Sequence, residues 1–405
     1  MSERGEANSV KFAGMAITQY RALTKDARAA FFGMLAEEFA PDPASVVESA
    51  QRYAATRSAE SLIDLLHATE PPRQELLRRL NRAPGGTAMI LEMRRELLDE
   101  MKSKPQLAAV EADLHHLLSS WFNPGFLRLE RVDWSSPAKL LEQIIRHEAV
   151  HEIQGWNDLR RRLDPDRRCF AFFHPALPHD PLIFVEVALT QEMPAAIGPL
   201  LDSGNVDADV AKARYAVFYS ISNCQPGLRG VSLGNFLIKQ VCEVLKQEFP
   251  RLTRFCTLSP IPGFVPWLTR GAECDAARLP QGAADRVGPA LAAARPLLGD
   301  NASNLGAAIE RVSPTVRQAL LRLGAAYLCG SRDNDPATDP VAKFHLNNGA
   351  QLARLNFRAN TGERGLRESL GLMVNYLYDL REIERNHEAF VRGRVAAARE
   401  VIALL

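Results

Sequence analysis

At 405 residues with 46% hydrophobic content, the chain is long enough for two or three domains with cores of their own. Lys and Arg total 49 against 48 for Asp and Glu, so at a net charge of +1 no global field calls for nucleic acid or an anionic membrane. Any anion site must therefore be local. Six cysteines, at 169, 224, 242, 256, 274 and 329, contain no Cys-x-x-Cys pair. That usage argues against a zinc ribbon or a disulfide framework and suits free thiols in a reducing compartment. No apolar stretch approaches a membrane span, and the first residues lack the basic-then-apolar design of a signal peptide. The final Ala403-Leu-Leu405 is no peroxisomal tripeptide, so a cytoplasmic location is expected.

Residues 1 to about 155 are expected to be almost wholly helical. Asp26 to Phe39 repeats apolar side chains at helical spacing, and 45–53, 61–69, 73–80, 89–101 and 107–118 behave alike. Pro41, Pro71-Pro72, Gly85-Gly86 and Pro105 punctuate them, and Trp121-Phe-Asn-Pro-Gly-Phe126 interrupts before a further helix over 137–150. Such a bundle serves packing or self-association. Within it, His147-Glu-Ala-Val-His151 matches the H-E-x-x-H spacing of a zinc metalloprotease helix. No extended ligand pattern follows among Glu152, His174 and His179, so the reading taken is helix-terminal histidines and no metal.

The texture changes near 156. Arg160-Arg-Arg-Leu-Asp-Pro-Asp-Arg-Arg168 reads as a basic, solvated turn between this region and two strands, 169–174 and 182–189, that should pair as a hairpin. Tyr215 to Ser222 is a further strand. After it comes Arg229-Gly-Val-Ser-Leu-Gly-Asn235, and then a helix over 236–249 with apolar residues at 236, 237, 241, 244 and 245. A helix start offers N–H groups without partners and a positive dipole end, and glycines let backbone approach an anion closely. The spacing is neither a Walker loop nor a dinucleotide fingerprint, and a plain capping turn would look the same.

Phe255 to Leu258 is a short strand that delivers Ser259-Pro-Ile-Pro-Gly-Phe264. Two prolines there fix the backbone and push Ser259 toward an extended conformation. Short helices are expected over 271–300 and a longer one over 314–328. A polar link follows and leads to His345. Residues 353–357 alternate like a strand, and Leu366–Leu380 and Glu384–Leu404 are expected to close the chain as helices.

Several blocks carry a family resemblance. Leu258-Ser-Pro-Ile-Pro-Gly-Phe264, Asp339-Pro-Val-Ala-Lys-Phe-His-Leu-Asn-Asn-Gly-Ala350, Gly371-Leu-Met-Val-Asn-Tyr-Leu-Tyr378, Gly227 to Gly234 and Trp121 to Val132 resemble malonyl-CoA decarboxylase, in order, from near residue 20 to about 380. The resemblance implies an α+β multidomain protein: an all-helical N-terminal bundle (1–155, oligomerisation) and a GNAT-like α/β catalytic domain (156–405). It implies conversion of malonyl-CoA to acetyl-CoA without cofactor or metal, and a homotetramer. It places the catalytic serine at Ser259, the histidine at His345 and a nearby tyrosine at Tyr378. Coenzyme A contacts fall on Arg229, Gly230, Val231, Ser232, Leu233, Gly234 and Asn235, where Ser232 departs from the glutamate of some members. Two other classes use the same loop: a GNAT-type acyltransferase and a non-catalytic acyl-CoA-binding protein.

Overall fold

The computed structural model describes residues 6–202, 204, 209–231, 233, 236–299, 302–333 and 335–405. The chain divides into two compact units. One is Met1–Arg128 with Phe173–Leu182 and Cys224–Gly234; the other is Leu129–Phe172, Ile183–Asn223 and Asn235–Leu405.

The first unit is built on seven helices: α1 (Glu6–Ala22), α2 (Lys25–Glu37), α3 (Pro43–Thr56), α4 (Ala59–Thr69), α5 (Pro72–Asn81), α6 (Gly86–Glu100) and α7 (Ala108–Trp121). The side chains of Thr24, Asp42 and Ser58 accept from the N–H three residues on, which fixes where α2, α3 and α4 begin. The centre is α6, whose Met89, Ile90, Leu91, Met93 and Leu97 are buried. Segment 224–231 belongs to this unit. Gly227 lies against α6 so closely that a Cβ there would fall 2.2 Å from the Leu91 carbonyl oxygen. Any side chain at 227 would push the segment off the helix.

The second unit carries a seven-stranded sheet of β1 (Arg128–Val132), β2 (Arg167–Phe173), β3 (Ile183–Thr190), β4 (Tyr215–Asn223), β5 (Arg254–Thr257), β6 (Gln351–Asn356) and β7 (Met373–Tyr378), in spatial order β1-β2-β3-β4-β5-β7-β6. Strands β2, β3 and β4 pair antiparallel, as the expected hairpin requires, with a bulge where Glu186 and Val187 face β4. β4 and β5 run parallel, but only over Tyr215–Phe218 against Arg254–Thr257. Residues 220–223 of β4 extend beyond that pairing, so the strands part at this end. The connection between them includes α10 (Phe236–Glu248), numbered after α8 (Ala138–His147) and α9 (Trp156–Arg162). Antiparallel strands leading into a parallel pair that opens at one end make this a GNAT-like α/β unit.

Alternation along the strands separates two faces. Val217 and Tyr219 of β4, Cys256 and Leu258 at β5, and Met373 of β7 pack in one buried cluster with Ile197 and Leu200. Phe218, Thr257 and Ser259 consequently point to the other face. Two further helices matter there: α11 (Pro340–Asn347) and α12 (Glu363–Ser369).

Four expectations are corrected. Glu384–Leu404 is not one helix: Ile383–Val391 and Arg399–Ile402 are helical, while Gly393, with φ of 76°, turns the chain between them and Ala396 and Ala398 exchange backbone hydrogen bonds with Leu352 of β6 at 2.9 and 2.7 Å. Arg128–Val132, inside the stretch expected to be helical, is a strand on the sheet edge. Leu366–Leu380 is not one helix: Leu370 and Gly371, with φ of 52° and 78°, end α12, and Met373–Tyr378 becomes β7. Its β-forming residues gain ladder partners on both sides, β5 and β6, which outweighs the helical spacing of Leu366, Met373 and Leu377. Last, Arg160 is exposed as expected, but Arg161, Arg162, Arg167 and Arg168 are buried and do not form a solvated turn. Arg161 and Arg162 are 1% exposed. Arg161 and Arg167 each lie 2.7 Å from an Asp166 carboxylate oxygen, Arg162 lies 3.1 Å from Glu186, and Arg168 lies 2.6 Å from Glu248. Burial raises the Glu186 carboxyl to about 8 against the pull of Arg162.

Candidate active site

Ser259 follows the end of β5 by two residues. Its N–H donates to the Val374 carbonyl at 2.8 Å and its carbonyl accepts from the Val374 N–H at 2.9 Å, so β7 holds the serine in extended backbone. Thr257, two residues back on the same face, accepts a hydrogen bond from Ser259 Oγ at 2.8 Å. On the other side of the serine, His345 Nε2 lies 3.0 Å from Ser259 Oγ, across 86 residues of sequence. His345 Nδ1 in turn lies 2.8 Å from the Tyr378 hydroxyl at the end of β7. The three residues expected to carry chemistry meet in one row.

Each is held from behind. The imidazole stacks on Tyr376, 4.6 Å between ring centroids, because positions 376 and 378 project from the same face of β7. Helix α11 brings His345 there, and Asp339 caps it: Oδ1 accepts from Val341 N–H at 2.9 Å and Ala342 N–H at 3.1 Å. The other oxygen, Oδ2, accepts from Gly263 N–H at 2.8 Å. One buried carboxylate thus ties the turn that leaves Ser259 to the helix that carries His345. Beneath Thr257, the Asn375 amide donates to the Thr257 carbonyl at 2.8 Å, and the Tyr376 N–H donates to Thr257 Oγ1 at 3.2 Å.

Sequence reading did not single out Thr257, Asp339, Asn375 or Tyr376. The Asp-Pro pair at 339–340 is a helix-start signal and could have flagged Asp339. The other three are strand residues whose sequence says nothing of what they touch.

Burial drives the His345 pKa down to about 3, so at neutral pH the ring is uncharged. It pushes the Tyr378 hydroxyl well above its ordinary value, so the phenol keeps its proton. Ser259 and His345 line a cavity of about 290 Å³ whose walls are mainly apolar, with Val150, Ile183, Phe218 and Phe344 among them, and Tyr219, Ser220 and Asn223 adding further polar residues. The Ser220 hydroxyl donates to Glu148 at 2.7 Å.

Arg229, Gly230, Val231 and Leu233 are placed with the first unit; Ser232, Gly234 and Asn235 lie outside the described residues. Arg94, buried on α6, donates to the Gly227 carbonyl at 2.6 Å and the Arg229 carbonyl at 2.8 Å. His115 approaches the Gly230 carbonyl at 3.1 Å. Gly230 has φ of 79°, a left-handed conformation that glycine adopts without strain. The backbone of residues 227–230 is thereby held from the α6–α7 side.

His147 and His151 do not project from one helix face. α8 ends at His147, and the Glu148 carboxylate turns inward to accept from Val150 N–H at 2.8 Å, His151 N–H at 2.7 Å and the Ser220 hydroxyl. The glutamate of the motif serves as an acceptor that stops the helix. Among the described residues no cluster of three His, Cys, Asp or Glu is arranged to hold a metal, and no helix is long and apolar enough to cross a membrane.

A GNAT-like sheet that brings a hydroxyl and an imidazole to the wall of an apolar cavity, with a phenol behind the imidazole, is an arrangement suited to acid–base chemistry. Comparison with known proteins says which kind. Residues 39–122 match the malonyl-CoA decarboxylase N-terminal domain and residues 125–405 the malonyl-CoA decarboxylase C-terminal domain. The malonyl-CoA decarboxylase of Rhodopseudomonas palustris superposes with a TM-score of 0.88 at 49% identity, covering 99% of this chain and 96% of that one. That of Agrobacterium vitis gives 0.87 at 46%, with the same coverage of 99% and 96%. The mitochondrial malonyl-CoA decarboxylase of Rattus norvegicus is 36% identical over 407 residues, 93% of this chain and 82% of the relative. The chain belongs to the malonyl-CoA decarboxylase family, and is a carboxy-lyase.

Proposed function

We propose that this enzyme converts malonyl-CoA to acetyl-CoA and carbon dioxide with Ser259, His345 and Tyr378 as its catalytic machinery and no cofactor. The observation that carries the assignment is the 3.0 Å contact between Ser259 Oγ and His345 Nε2 at the wall of an apolar cavity.

Malonyl-CoA holds its carboxylate β to a thioester carbonyl. The bond from C2 to the carboxylate breaks, its electron pair moves into the carbonyl as an enolate, and carbon dioxide leaves. C2 then takes one proton, supplied in the end by water. The substrate is its own electron sink, so the protein has to present hydrogen-bond donors to the developing oxyanion, hold the carboxylate out of the carbonyl plane and deliver the proton. Donors preset where charge develops contribute about 3–4 kcal/mol each, and a positioned acid about 10²–10⁴-fold. His345 is the proton donor in this reading, and Ser259, which accepts from Nε2, donates its own hydroxyl proton to seat the carboxylate. An uncharged imidazole suits the task, because it does not form a static ion pair that would stabilise the ground-state carboxylate. Dry walls favour the spread charge of the transition state over the localised charge of the substrate.

Coenzyme A contacts fall on Arg229 to Asn235 in this proposal, a segment leading into a helix whose positive end favours phosphate. Helical self-association through residues 1–155 would give the homotetramer. Six cysteines without a disulfide fit a reducing, cytoplasmic location.

The test is carbon dioxide release from malonyl-CoA by the purified protein with no acyl acceptor present. Release is expected, and Ser259→Ala and His345→Ala should each lower kcat by at least about 100-fold while acetyl-CoA binding stays within about threefold. Turnover only with an added amine would point to an acyltransferase; binding without turnover would point to an acyl-CoA sensor.

A further inference from the structure

Four side chains form an unbroken row in the second unit: Thr257 Oγ1, Ser259 Oγ at 2.8 Å, His345 Nε2 at 3.0 Å from the serine, and the Tyr378 oxygen at 2.8 Å from Nδ1. They are 0%, 5%, 3% and 2% exposed, so bulk water does not satisfy them. Each hydroxyl owns one proton and a neutral imidazole owns one. The row therefore has two orders. Either every proton points toward Thr257, or every proton points toward Tyr378.

Three observations choose between them. Ser259 Oγ is oriented to donate to Thr257 Oγ1. With its proton spent there, the serine oxygen can meet Nε2 only as an acceptor, so Nε2 carries the ring proton and Nδ1 is bare. The phenol then donates to Nδ1, which pairs the strongest donor in the row with its strongest acceptor. Among the described residues no other acceptor is found for the Tyr378 hydroxyl. The proton left at the end of the row belongs to Thr257, an aliphatic alcohol and a weaker donor than the phenol. In the opposite order the buried phenol proton would be stranded.

Resting on the assignment of Ser259 and His345 above, we infer that Thr257 is a positioning residue that fixes the direction of this row and so makes His345 a proton donor on its Ser259 side. The order decides chemistry. An Nε2–H beside the cavity can bond an oxyanion or protonate C2, whereas a bare Nε2 would be a base with nothing to give. Thr257 also gives the serine proton an acceptor until a substrate carboxylate replaces it. In the Ser-His-carboxylate arrangement of hydrolases an acid holds the proton on the far nitrogen and leaves the near one a base. Here a phenol in the acid's place and a threonine behind the serine reverse that.

The test uses full-length enzyme labelled with ¹⁵N-histidine and read by solid-state NMR at pH 7.5 without ligand. The His345 resonances are identified among the nine histidines by their loss in His345→Gln. Wild type should show His345 protonated at Nε2 and bare at Nδ1. Thr257→Val, of the same shape without the acceptor, should turn Ser259 toward Nε2 and move the ring proton to Nδ1. With it, kcat should fall about tenfold or more and KM stay within about twofold, while Thr257→Ser restores kcat to within about threefold. Wild type found protonated at Nδ1 overturns the inference, as does Thr257→Val with the tautomer and kcat both unchanged. The wild-type spectrum decides even where the valine variant does not fold. Full turnover in His345→Ala would instead sink the catalytic assignment, and the tautomer is read independently of turnover.

Discussion

The Tyr378 hydroxyl sits 2.8 Å from His345 Nδ1, in the place where a nucleophilic triad keeps a carboxylate, and the imidazole stacks on the ring of Tyr376 two residues earlier. A phenol there orients the ring without adding negative charge. The imidazole is not drawn toward the cation, and burial alone sets its pKa at about 3. Tyr378→Phe keeps the ring packing and removes the Nδ1 donor. It is expected to lower kcat by about 10- to 100-fold with KM within about twofold, by initial rates of carbon dioxide release. An unchanged kcat would leave Tyr378 a packing residue.

The buried neutral His345 also makes stability depend on pH. Its folded pKa, about 3, lies below the ordinary 6.5, so between those values the unfolded chain binds the extra proton. The contribution is fully present above pH 6.5 and is lost as pH falls toward 3. His345→Gln lacks it. The stability gap between wild type and the variant should therefore move against wild type on acidification from 6.5 to 4, by on the order of 1 kcal/mol per pH unit. Urea titrations of both proteins at several pH values measure the slope, and parallel curves would contradict a buried neutral ring.

Glu186 tilts the other way. Its folded pKa, about 8, lies above the ordinary 4.5, so its contribution is present below 4.5 and lost as pH rises through 8. Glu186→Gln, a neutral isostere, should gain on wild type across that window, again by on the order of 1 kcal/mol per pH unit. Chemical denaturation of the pair at pH 5, 6.5 and 8 is the measurement. A gap that does not change with pH would mean that Arg162, 3.1 Å away, keeps the carboxylate ionised throughout.

Asp339 joins two elements through three backbone N–H groups, those of Gly263, Val341 and Ala342. Asp339→Ala loses a helix cap and strands a Gly263 donor, which together cost about 2–4 kcal/mol. Because the same carboxylate aligns the Ser259 turn with α11, kcat should also fall in the fraction that stays folded. A variant with normal unfolding midpoint and normal kcat would show that packing alone sets the geometry.

Local chemistry made much of the chain legible. Helices over 25–37, 43–56 and 59–69 and the strand and helix at 215–223 and 236–248 lie close to where apolar spacing put them. Ser259, His345 and Tyr378 are singled out by the family resemblance of the blocks around them, and not by local chemistry, which leaves Ser259 in a plain turn and His345 a lone histidine. Spacing along a chain, however, says which face a side chain takes and not what it faces. Met373–Tyr378 read as helix because the partners that make it a strand, β5 and β6, are distant segments. Arg161, Arg162, Arg167 and Arg168 read as solvated because the groups they pack against include Glu186 and Glu248, far along the sequence. Thr257 is an ordinary strand threonine until folding sets Ser259 beside it and His345 beyond, and the order of protons through that row exists only once all four groups are buried together.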